Sequence, residues 1–510
     1  MNARLHVGHA YEMVLADVFA RYHRAEGDKT FFLTGSDEHG DKIIASAQKE
    51  GLGPQAFVNN NVDSFKALLL ELTISNDAFV RTSDQGAHWP GAQKLWHQLE
   101  QAGDIYKDVY EGLYCVGCEG FKTEKELVDG KCPLHDKAPD QIKEENYFFK
   151  LSKYTKEIKR LIESKEIEII PASKANEMLA LLAQSETEGH KGDVSISRPA
   201  RAIPWGIPVP GDASQLMYVW CDALSNYISA LGYGSSDESN FKTFWPADVQ
   251  VIGKDIARFH CILWPAFLLS AKIPVPRKLF IHGFINSGGK KMSKSIGNTL
   301  SAEEFIAEYG TDALRYYFTR EIPPFEDGDL TREKFKEVYN ANLANGLGNL
   351  VSRTLKMAEQ YFGGRVSGSP VLVPPLRTRT AIVGELGDLE GLNIPYLVIN
   401  DILPRYHAHM DAYEVNKAAD VTWELIAYLD QYIADYQPFK LVKTDPRAAE
   451  NVLWGLIYGL NEILAMVAPL MPSTASKISL LLGAPGTTEK EGEIVYMVKA
   501  PTEPLFMRKD

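Results

Sequence analysis

Cysteine is scarce in this sequence, which has five cysteines among 510 residues. So few cysteines exclude a disulfide framework and the small secreted scaffolds that depend on one. Three of the five, Cys115, Cys118 and Cys132, fall within eighteen positions of one another. That clustering points to a metal site in a reducing compartment.

Long uninterrupted apolar runs are also missing. The longest apolar stretch, Val452 to Met471, contains Asn461 and Glu462, so it predicts a buried core helix and not a membrane span. The first residues do not combine a positively charged start with an apolar run, so no secretory signal is indicated. We therefore expect a cytoplasmic location and no role in membranes.

Positive charge is in short supply, because 54 lysines and arginines stand against 67 aspartates and glutamates, for a formal net charge of -13. This charge repels a polyanion at long range, so any contact with nucleic acid must use a local basic surface. It argues against DNA wrapping but leaves room for a transient RNA substrate. The proportions of hydrophobic (45%) and charged (24%) residues predict a soluble globular protein of roughly two to four domains.

Strand-like and helix-like stretches alternate in the first part of the chain. This alternation predicts an α/β fold with a Rossmann-like, doubly wound parallel sheet whose sites lie at the carboxyl ends of strands. The predicted strands begin at Thr30, Asp248 and Lys278, and the predicted helices are Ala10 to Glu26 and Ile256 to Ser270.

The expected catalytic nucleotide-binding domain covers residues 1–330. An insertion at 100–205 interrupts it, with a cysteine-rich knuckle at 112–140 and a lysine-rich helix near 150–165, and a lysine-loop subdomain closes it at 280–330. After Pro323-Pro324 the pattern becomes helical, so we expect an all-α domain at 331–485 and a polar tail at 486–510. The predicted helices of this region are Thr331 to Gln360, Thr378 to Leu392, Pro395 to Leu429 and Arg447 to Met471, with a loop at 368–375.

The motif His6-Val7-Gly8-His9 stands directly before a helical stretch. Imidazole N–H groups and a helix N-terminus can stabilise charge that develops on ATP, and Gly8 lets a base or ribose approach the backbone. Two histidines three residues apart are often only structural, so this motif alone leaves both interpretations open.

A second motif runs from Gly288 to Ser295 and contains Lys291-Met292-Ser293-Lys294-Ser295. Glycines at its start can hinge a loop whose lysines reach the outer phosphates of a nucleotide, mainly in the transition state. A solvated surface loop is the alternative, but five specified residues would arise by chance in roughly one chain of this length in several thousand.

The cysteine cluster has the spacing of a zinc knuckle. Cys115-x2-Cys118 is followed thirteen residues later by Cys132-x2-His135, a four-ligand set suited to tetrahedral zinc. Four protein ligands leave no position open for water, so we expect one structural zinc ion. The remaining cysteines, Cys221 and Cys261, are expected to be small core residues.

The two catalytic motifs, about 280 residues apart, together resemble the paired signatures of class I aminoacyl-tRNA synthetases, His-Ile-Gly-His and Lys-Met-Ser-Lys-Ser. The resemblance implies attack of an amino-acid carboxylate on the α-phosphate of ATP, followed by transfer to tRNA. Such chemistry needs positioning and charge stabilisation and no side-chain nucleophile. The residues that this assigns to catalysis, with Mg2+, are His6, His9, Lys291 and Lys294.

Within that class the chain resembles the methionyl-tRNA synthetases, in the stretch Tyr218 to Tyr227 and in Phe259-His260-x3-Trp264. Aromatic walls suit the polarizable sulfur of methionine. The resemblance implies a methionine pocket formed by Trp220, Ala223, Tyr227, Phe259, His260 and Trp264, with Asp37 pairing the ammonium group. It assigns Gly8, Gly253, Asp255 and Lys294 to ATP.

The resemblance extends to the helical domain. There Asn349 and Arg353, one helical turn apart, correspond to the helix that reads the anticodon of tRNA(Met), initiator included. The family places a tryptophan after a proline on a neighbouring helix; here Phe439 follows Pro438, so stacking remains but an indole donor does not. A solvated helix face is the alternative.

One departure concerns the start of the chain. Only five residues precede His6, where the family has a strand that lines the methionine side chain. We expect Met1 to be a trimmed or misassigned start, and this form to have weak stability and little methionine activation. We also expect a monomer, since the chain ends soon after the helical domain.

Three other functions are alternatives to methionine ligation. The leucyl, isoleucyl and valyl enzymes carry a far larger editing insertion than the roughly 100 residues found here, and cysteinyl enzymes place zinc at the substrate thiol. A tRNA-binding or regulatory homologue without catalysis would not need His6, His9, Lys291 and Lys294. Methionine ligation with ATP therefore accounts best for the sequence.

Overall fold

In the computed structural model of this chain, the residues described are 6–117, 120–122, 124–133, 136–188, 192–202, 204–291, 300–368, 393–487 and 493–510. The contacts divide them into two compact units. The first unit contains residues 31–70 and 75–283, and the second contains residues 6–30, 71–74 and 284–510.

Helices account for most of the second unit and for the connections of the first. In chain order they are α1 (Val7–Ala25), α2 (Asp41–Lys49), α3 (Pro54–Glu71), α4 (Trp89–Gln101), α5 (Thr155–Glu163), α6 (Ala172–Glu188), α7 (Val219–Leu224), α8 (Asn226–Ser229), α9 (Ser239–Phe244), α10 (Trp264–Ser270), α11 (Ala302–Tyr309), α12 (Thr311–Tyr316), α13 (Arg332–Val338), α14 (Asn349–Phe362), α15 (Ile394–Leu397), α16 (Leu403–Asp411), α17 (Val415–Tyr436), α18 (Pro438–Leu441), α19 (Pro446–Val467) and α20 (Pro472–Leu482). Segments with π-helical hydrogen bonding lie at Phe259–Leu263, Tyr317–Glu321, Tyr339–Gly348 and Val398–Ile402.

The strands belong to several small sheets. In chain order they are β1 (Leu33–Ser36), β2 (Ala78–Arg81), β3 (Ile105–Cys115), β4 (Gly120–Lys122), β5 (Asp140–Phe149), β6 (Glu168–Ile170), β7 (Val194–Ser195), β8 (Ser197–Pro199), β9 (Pro208–Val209), β10 (Asp212–Met217), β11 (Gln250–Gly253), β12 (Lys278–His282), β13 (Ile285–Ser287), β14 (Lys290–Lys291), β15 (Gly328–Asp329), β16 (Arg365–Gly368), β17 (Gly486–Thr487) and β18 (Ile494–Met497).

Parallel strands form the centre of the first unit, as the alternating pattern predicted. β1 pairs with β2, and β12 lies between β11 and β6, each pair in parallel register. Helices pack on these strands around a core that includes Trp96, Phe149, Trp264 and Phe267. The α/β fold class is confirmed, with the described parallel strands of the first unit divided between two sheets.

The insertion of the first unit is an extended antiparallel hairpin. β3 and β5 pair without interruption from Ile105 opposite Phe149 to Tyr114 opposite Asp140. Cys115 is the last residue of β3, so the knuckle predicted at 112–140 lies at the far end of this hairpin. The lysine-rich helix that we predicted near 150–165 is α5, which buries Ile158, Leu161 and Ile162.

The second unit is mainly helical, and one prediction there was wrong. A single helix was expected from Pro395 to Leu429, but α16 ends at Asp411 and α17 begins at Val415. Tyr413 interrupts the helix with a φ of +60°, a conformation that a bulky side chain rarely adopts. Its ring is buried and packs edge-to-face on Phe19 at 4.9 Å, which offsets the cost of the bend.

The segment expected to be a polar tail is folded. β18 pairs in antiparallel register with both β16 and β17, and Trp454 Nε1 donates to the carbonyl of Ile494 at 3.1 Å. Farther on, Asn340 Nδ2 donates to the carbonyl of Lys509 at 2.7 Å. Long-range strand pairing of this kind leaves no periodic signal in so short a stretch, so the expectation of a simple tail was wrong.

Two further predictions concern the segment 368–392 and the apolar stretch that begins at Val452. The predicted helix Thr378 to Leu392 and most of the loop at 368–375 lie outside the described residues. The apolar stretch from Val452 is part of the buried helix α19, as predicted. Among the helices that are described, none has the length and apolarity needed to cross a membrane.

Candidate functional site

The first histidine motif forms the start of α1. His6 is the N-cap, its Nδ1 accepts a hydrogen bond from the backbone N–H of Gly8 at 3.1 Å, and His9 Nδ1 accepts from the backbone N–H of His6 at 3.3 Å. A Cβ at position 8 would lie 2.8 Å from His6 Cε1, so glycine is required for the His6 ring to cap the helix.

These contacts decide which nitrogen of each ring carries the proton. An Nδ1 that accepts from a backbone N–H cannot itself be protonated, so in both His6 and His9 the hydrogen is on Nε2. The ring centroids are 4.1 Å apart. The start of α1 therefore offers two imidazole N–H donors together with the positive end of a helix dipole, an arrangement that stabilises negative charge.

The lysine motif begins in a tight hairpin of the second unit. β13 and β14 pair at Ser287 and Lys290, and the two residues between them, Gly288 and Gly289, have φ values of +61° and +70°. Positive φ at both central positions defines the turn that best matches the twist of two strands, and glycine adopts it without strain. Gly289 N also donates to Asp329 Oδ1 at 2.9 Å, which ties the turn to β15.

Described residues on both sides of the lysine motif belong to the second unit, as does the first turn of α1. Lys291 ends β14, and residues 292–299, Lys294 among them, lie outside the described residues. The chain is described again from Leu300, whose carbonyl accepts from the backbone N–H of Val7 at 3.4 Å. Leu300, the first described residue after the motif, thus lies beside the first turn of the helix that begins with His6.

Aromatic side chains of the first unit cluster as the sequence predicted. Trp220 on α7 stacks on Phe259, with centroids 3.9 Å apart and planes inclined by 9°. Tyr227 on α8 lies 6.2 Å from Trp264, measured between ring centroids. The π-helical segment at Phe259–Leu263 widens the backbone here and turns Phe259 and His260 towards α7 and α8.

One hydrogen-bonded pair lies among these rings. Tyr227 Oη is 2.9 Å from His260 Nε2, and His260 Nδ1 is 3.1 Å from the carbonyl of Ile256. Since a carbonyl can only accept, Nδ1 carries the proton, so Nε2 accepts and the Tyr227 hydroxyl donates. The polar atoms of both side chains are satisfied by this pairing, which leaves a wall of ring faces and edges suited to an apolar, polarizable ligand.

Asp37 follows β1, at the carboxyl end of a parallel strand, where ligands of such sheets bind. Its neighbour Glu38 is fully buried and accepts from Arg81 through two parallel bonds, Nε to Oε1 at 2.7 Å and Nη2 to Oε2 at 2.8 Å. Trp205 Nε1 donates to the carbonyl of Glu38 at 2.6 Å. These contacts hold the loop that presents Asp37.

Sequence reasoning missed a buried carboxylate next to this loop. Asp222 lies 1% exposed on α7 and contacts His39 Nδ1 at 2.5 Å and His88 Nε2 at 2.7 Å. Its position between Cys221 and Ala223 in an apolar stretch was the available signal, because an isolated charge there must be paired.

These contacts shift two pKa values. Burial lowers the pKa of His39, but the charge and hydrogen bond of Asp222, with Asp37 and Glu38, outweigh it and the pKa stands above its ordinary value. Burial raises the pKa of Asp222, but the two histidines outweigh it and hold that pKa below its ordinary value.

Gly253 and Asp255 lie after β11. A Cβ at Gly253 would be 2.9 Å from Asp255 Oδ1, so the absence of a side chain lets the Asp255 carboxylate lie against the backbone of the strand end. Asp255 is exposed, and β11 is paired with β12 so that Gly253 stands opposite His282. Both residues therefore lie at the carboxyl end of a parallel strand, as predicted.

The knuckle is described only in part. Cys115 and Cys132 are buried, and Cys132 begins a turn in which its carbonyl accepts from Asp136 N at 2.8 Å. Cys118 and His135 lie outside the described residues. In the described part of the chain no group of three or more His, Cys, Asp or Glu side chains converges as metal ligands do.

The predicted anticodon residues lie on the second unit. Asn349 is exposed at the start of α14, and one turn later Arg353 Nη1 lies 2.7 Å from Asp430 Oδ1 on α17, both side chains half exposed. Phe439 is 37% exposed at the start of α18. Each is accessible to a ligand, and Arg353 has donors left beyond those that face Asp430.

Known proteins match this chain along its whole length. The profile described as "tRNA synthetases class I (M)" matches residues 1–140 and 122–355, and "Anticodon binding domain of methionyl tRNA ligase" matches residues 385–497. Parallel α/β structure, the two motifs and these matches together define the class: a class I aminoacyl-tRNA synthetase.

The relatives narrow the class to one family. The methionine–tRNA ligase of Clostridium acetobutylicum is 39% identical over 97% of this chain and 76% of its own length, and that of Thermotoga maritima is 37% identical over 100% and 79%. The structure of Mycobacterium tuberculosis methionyl-tRNA synthetase in complex with methionyl-adenylate is 34% identical, with a TM-score of 0.87 over 99% of this chain and 97% of that one. The chain belongs to the methionyl-tRNA synthetase family.

Proposed function

We propose that this chain joins methionine to tRNA(Met), initiator included, at the expense of ATP and through a methionyl-adenylate. The observation that carries the proposal is the geometry at the start of α1: the protonated Nε2 atoms of His6 and His9 stand there, and the carbonyl of Leu300, a residue that follows the lysine motif, accepts from Val7 N. Donors gathered at a helix N-terminus suit a reaction in which negative charge grows on phosphate.

In the first step a carboxylate oxygen of methionine attacks the α-phosphorus of ATP. The bond from that phosphorus to the bridging oxygen of the β-phosphate breaks, and diphosphate leaves; Mg2+ bound to the phosphates would neutralise part of their charge. His6 and His9 donate to the charge that develops at the α-phosphate, and Lys291 and Lys294 stabilise the departing phosphates. In the second step a hydroxyl of the terminal adenosine of tRNA attacks the activated carbonyl, and AMP leaves.

The nucleoside part of ATP is assigned to two glycines and to one residue that follows a strand. Gly8 and Gly253 provide backbone without a side chain, which lets the nucleotide approach closely. Asp255, exposed after β11, accepts hydrogen bonds from ribose hydroxyls. The position of Gly253 and Asp255 at the carboxyl end of β11 supports the assignment of these two residues.

Methionine is held by the aromatic cluster. Trp220, Phe259 and Trp264 offer ring faces and edges to the thioether, and Ala223 leaves room for it. The internal pairing of Tyr227 with His260 supports selection against polar side chains, since the hydroxyl and the imidazole nitrogens are already bonded and are not left to bind one. Asp37 pairs the ammonium group.

The anticodon is assigned to the second unit. Asn349 and Arg353 hydrogen-bond splayed bases from one face of α14, and Phe439 stacks on a third base. The exposure of Phe439, which is unusual for a large apolar side chain, supports a stacking role.

We also propose a structural zinc ion in the knuckle, held by Cys115, Cys118, Cys132 and His135. Cys115 and Cys132 fit such a site, because both thiols are buried at the far end of the β3–β5 hairpin, where burial of thiolates requires a counter-charge. The zinc ion would hold the hairpin end together and take no part in the reaction. We further propose that the protein is cytoplasmic and monomeric. Its low cysteine content supports a reducing compartment.

Exchange of labelled diphosphate into ATP tests the proposal when run separately with methionine, leucine, valine and cysteine. We expect exchange with methionine to exceed the others by about 100-fold. His9→Gln should lower the methionine-dependent rate about 100-fold. His23→Gln, on the same helix but half exposed beside Asp28, is the matched control and should leave the rate unchanged. Equal rates with two amino acids, or no effect of His9→Gln, contradict the proposal.

A further inference from the structure

A buried ionic network connects the segments that carry the proposed methionine site. It consists of Asp222, His39, His88 and Ser229, and we call it the Asp222 network. Beyond the two histidine contacts of Asp222, His88 Nδ1 lies 2.8 Å from Ser229 Oγ. The side chains of His39, His88 and Asp222 are 3%, 0% and 1% exposed, so none of these polar groups is solvated by bulk water. A buried charge is a poor means of stabilising a fold, which suggests another use.

Each member belongs to a different segment of the first unit. His39 is two residues after Asp37 in the loop that follows β1. Asp222 shares the six-residue helix α7 with Trp220 and Ala223, and Ser229 shares the four-residue helix α8 with Tyr227. His88 stands between them as the residue that precedes α4.

The side chains and helices joined by the Asp222 network have little freedom to move. His39 Nε2 is buried and makes no hydrogen bond to any residue that the structure describes, so among these residues Asp222 supplies the hydrogen bond that orients the ring, through Nδ1. On the other side, a Cβ at Gly91 would lie 2.7 Å from Ser229 Cβ and 2.7 Å from the carbonyl of Tyr233. Helices α4 and α8 therefore pack as closely as they do only because position 91 is glycine, which fixes His88 against Ser229.

We propose that the Asp222 network positions the methionine site, holding Asp37, Trp220 and Tyr227 in register with one another. Its members act through these neighbours and are positioning residues. Short helices such as α7 and α8 cannot hold a fixed orientation alone, and displacement of a binding group by about 1 Å can cost 100-fold in rate. The inference rests on the proposed methionine site.

A positioning role differs from a purely structural role in what it affects. Loss of the network should weaken methionine binding and leave ATP binding unchanged, because the residues assigned to ATP lie on other segments. A structural role should lower thermal stability and the amount of active enzyme, and leave both KM values unaltered. The two KM values and the melting temperature therefore separate the two roles.

The experiment compares three full-length variants in diphosphate exchange. His88→Leu should raise KM for methionine about tenfold or more and change KM for ATP less than twofold. His88→Gln keeps an amide donor near the position of Nε2 and should restore KM for methionine to within about threefold of wild type. The matched control is His97→Gln, because His97 is a half-exposed histidine on α4, the helix that follows His88. This variant should match wild type.

Equal changes in the two KM values, or a fall in melting temperature with both KM values unchanged, overturn the inference. So does a His88→Gln variant as impaired as His88→Leu. If His88→Leu does not fold, Ser229→Ala removes one hydroxyl and should raise KM for methionine about fivefold, the effect of a single hydrogen bond; no change there also overturns it. Wild-type exchange with methionine tests the proposed function separately, so failure of one is distinguishable from failure of the other.

Discussion

Arg315 offers a sharp test of how the second unit is held together, because its guanidinium is fully buried and every contact is identified. Nε donates to the carbonyl of Leu470 at 2.8 Å, Nη1 to Leu72 at 3.0 Å and Nη2 to Pro469 at 2.9 Å. Nη2 also lies 2.7 Å from Asp17 Oδ2 on α1. One side chain thus ties the helix that begins with His6 to the turn between α19 and α20.

Replacement by methionine keeps most of the volume and removes all four interactions. Asp17 stays fully buried, and it retains Arg21 Nε at 2.7 Å as a partial counter-charge. Breaking a buried pair by removing one partner costs about 3–5 kcal/mol, and the three carbonyls that lose a donor act in the same direction. We therefore expect Arg315→Met to lower the free energy of unfolding by about 3–5 kcal/mol.

Urea denaturation followed by far-ultraviolet circular dichroism measures this change. Arg315→Lys retains a charge but not the fork of donors, so it should fall between Arg315→Met and wild type. Arg332→Met is the matched control, since Arg332 pairs with Glu304 at the surface, and it should change stability by less than about 1 kcal/mol. If Arg315→Met costs no more than Arg332→Met, the buried cluster does not have the structural role argued for it.

Four further predictions concern other contacts of the structure and the proposed sites. Arg353→Leu should weaken tRNA binding about tenfold in a filter assay without altering methionine-dependent exchange, and an equal loss in exchange would contradict it. Because the pKa of His39 is raised, the stabilisation from its charge is fully present below about pH 6.5 and is lost as the pH rises through the raised pKa. The difference in the free energy of unfolding between wild type and His39→Gln should therefore shrink as the pH rises. A difference that does not change with pH refutes this prediction. Cys132→Ser, or a chelator, should release one zinc ion per chain, detected by atomic absorption, and increase proteolysis of the β3–β5 hairpin; a metal content of zero in wild type would be the contrary result. Gly91→Ala should lower the melting temperature by several degrees, since its Cβ would overlap Ser229, and an unchanged midpoint would show that the helices can separate without cost.

Local patterns were enough to predict the regular parts of the fold. The strands at β11 and β12 and the helices α1 and α19 follow from apolar periodicity and from the turns that bound them. The break at Tyr413 and the pairing of β18 with β16 did not follow. In both, a contact between distant residues outweighs the local preference, and periodicity within a short window carries no information about such contacts.

The chemical class was determined by the sequence alone, because the chemistry requires particular side chains at particular spacings. Two histidines around a glycine at a helix start, and a lysine-rich loop after two glycines, together indicate adenylate formation through their resemblance to the paired signatures of one enzyme class. Aromatic residues at Trp220, Phe259 and Trp264 likewise indicated methionine through their resemblance to one family.

Only the tertiary structure decided which residues hold those groups in place. Asp222 contacts His39 across 183 positions of the chain and His88 across 134, and Arg315 reaches Pro469 across 154. Each pair is buried, and a buried charge is tolerated only where a partner meets it at hydrogen-bond distance. That partner is fixed by the packing of distant segments, which the order of residues along the chain does not state.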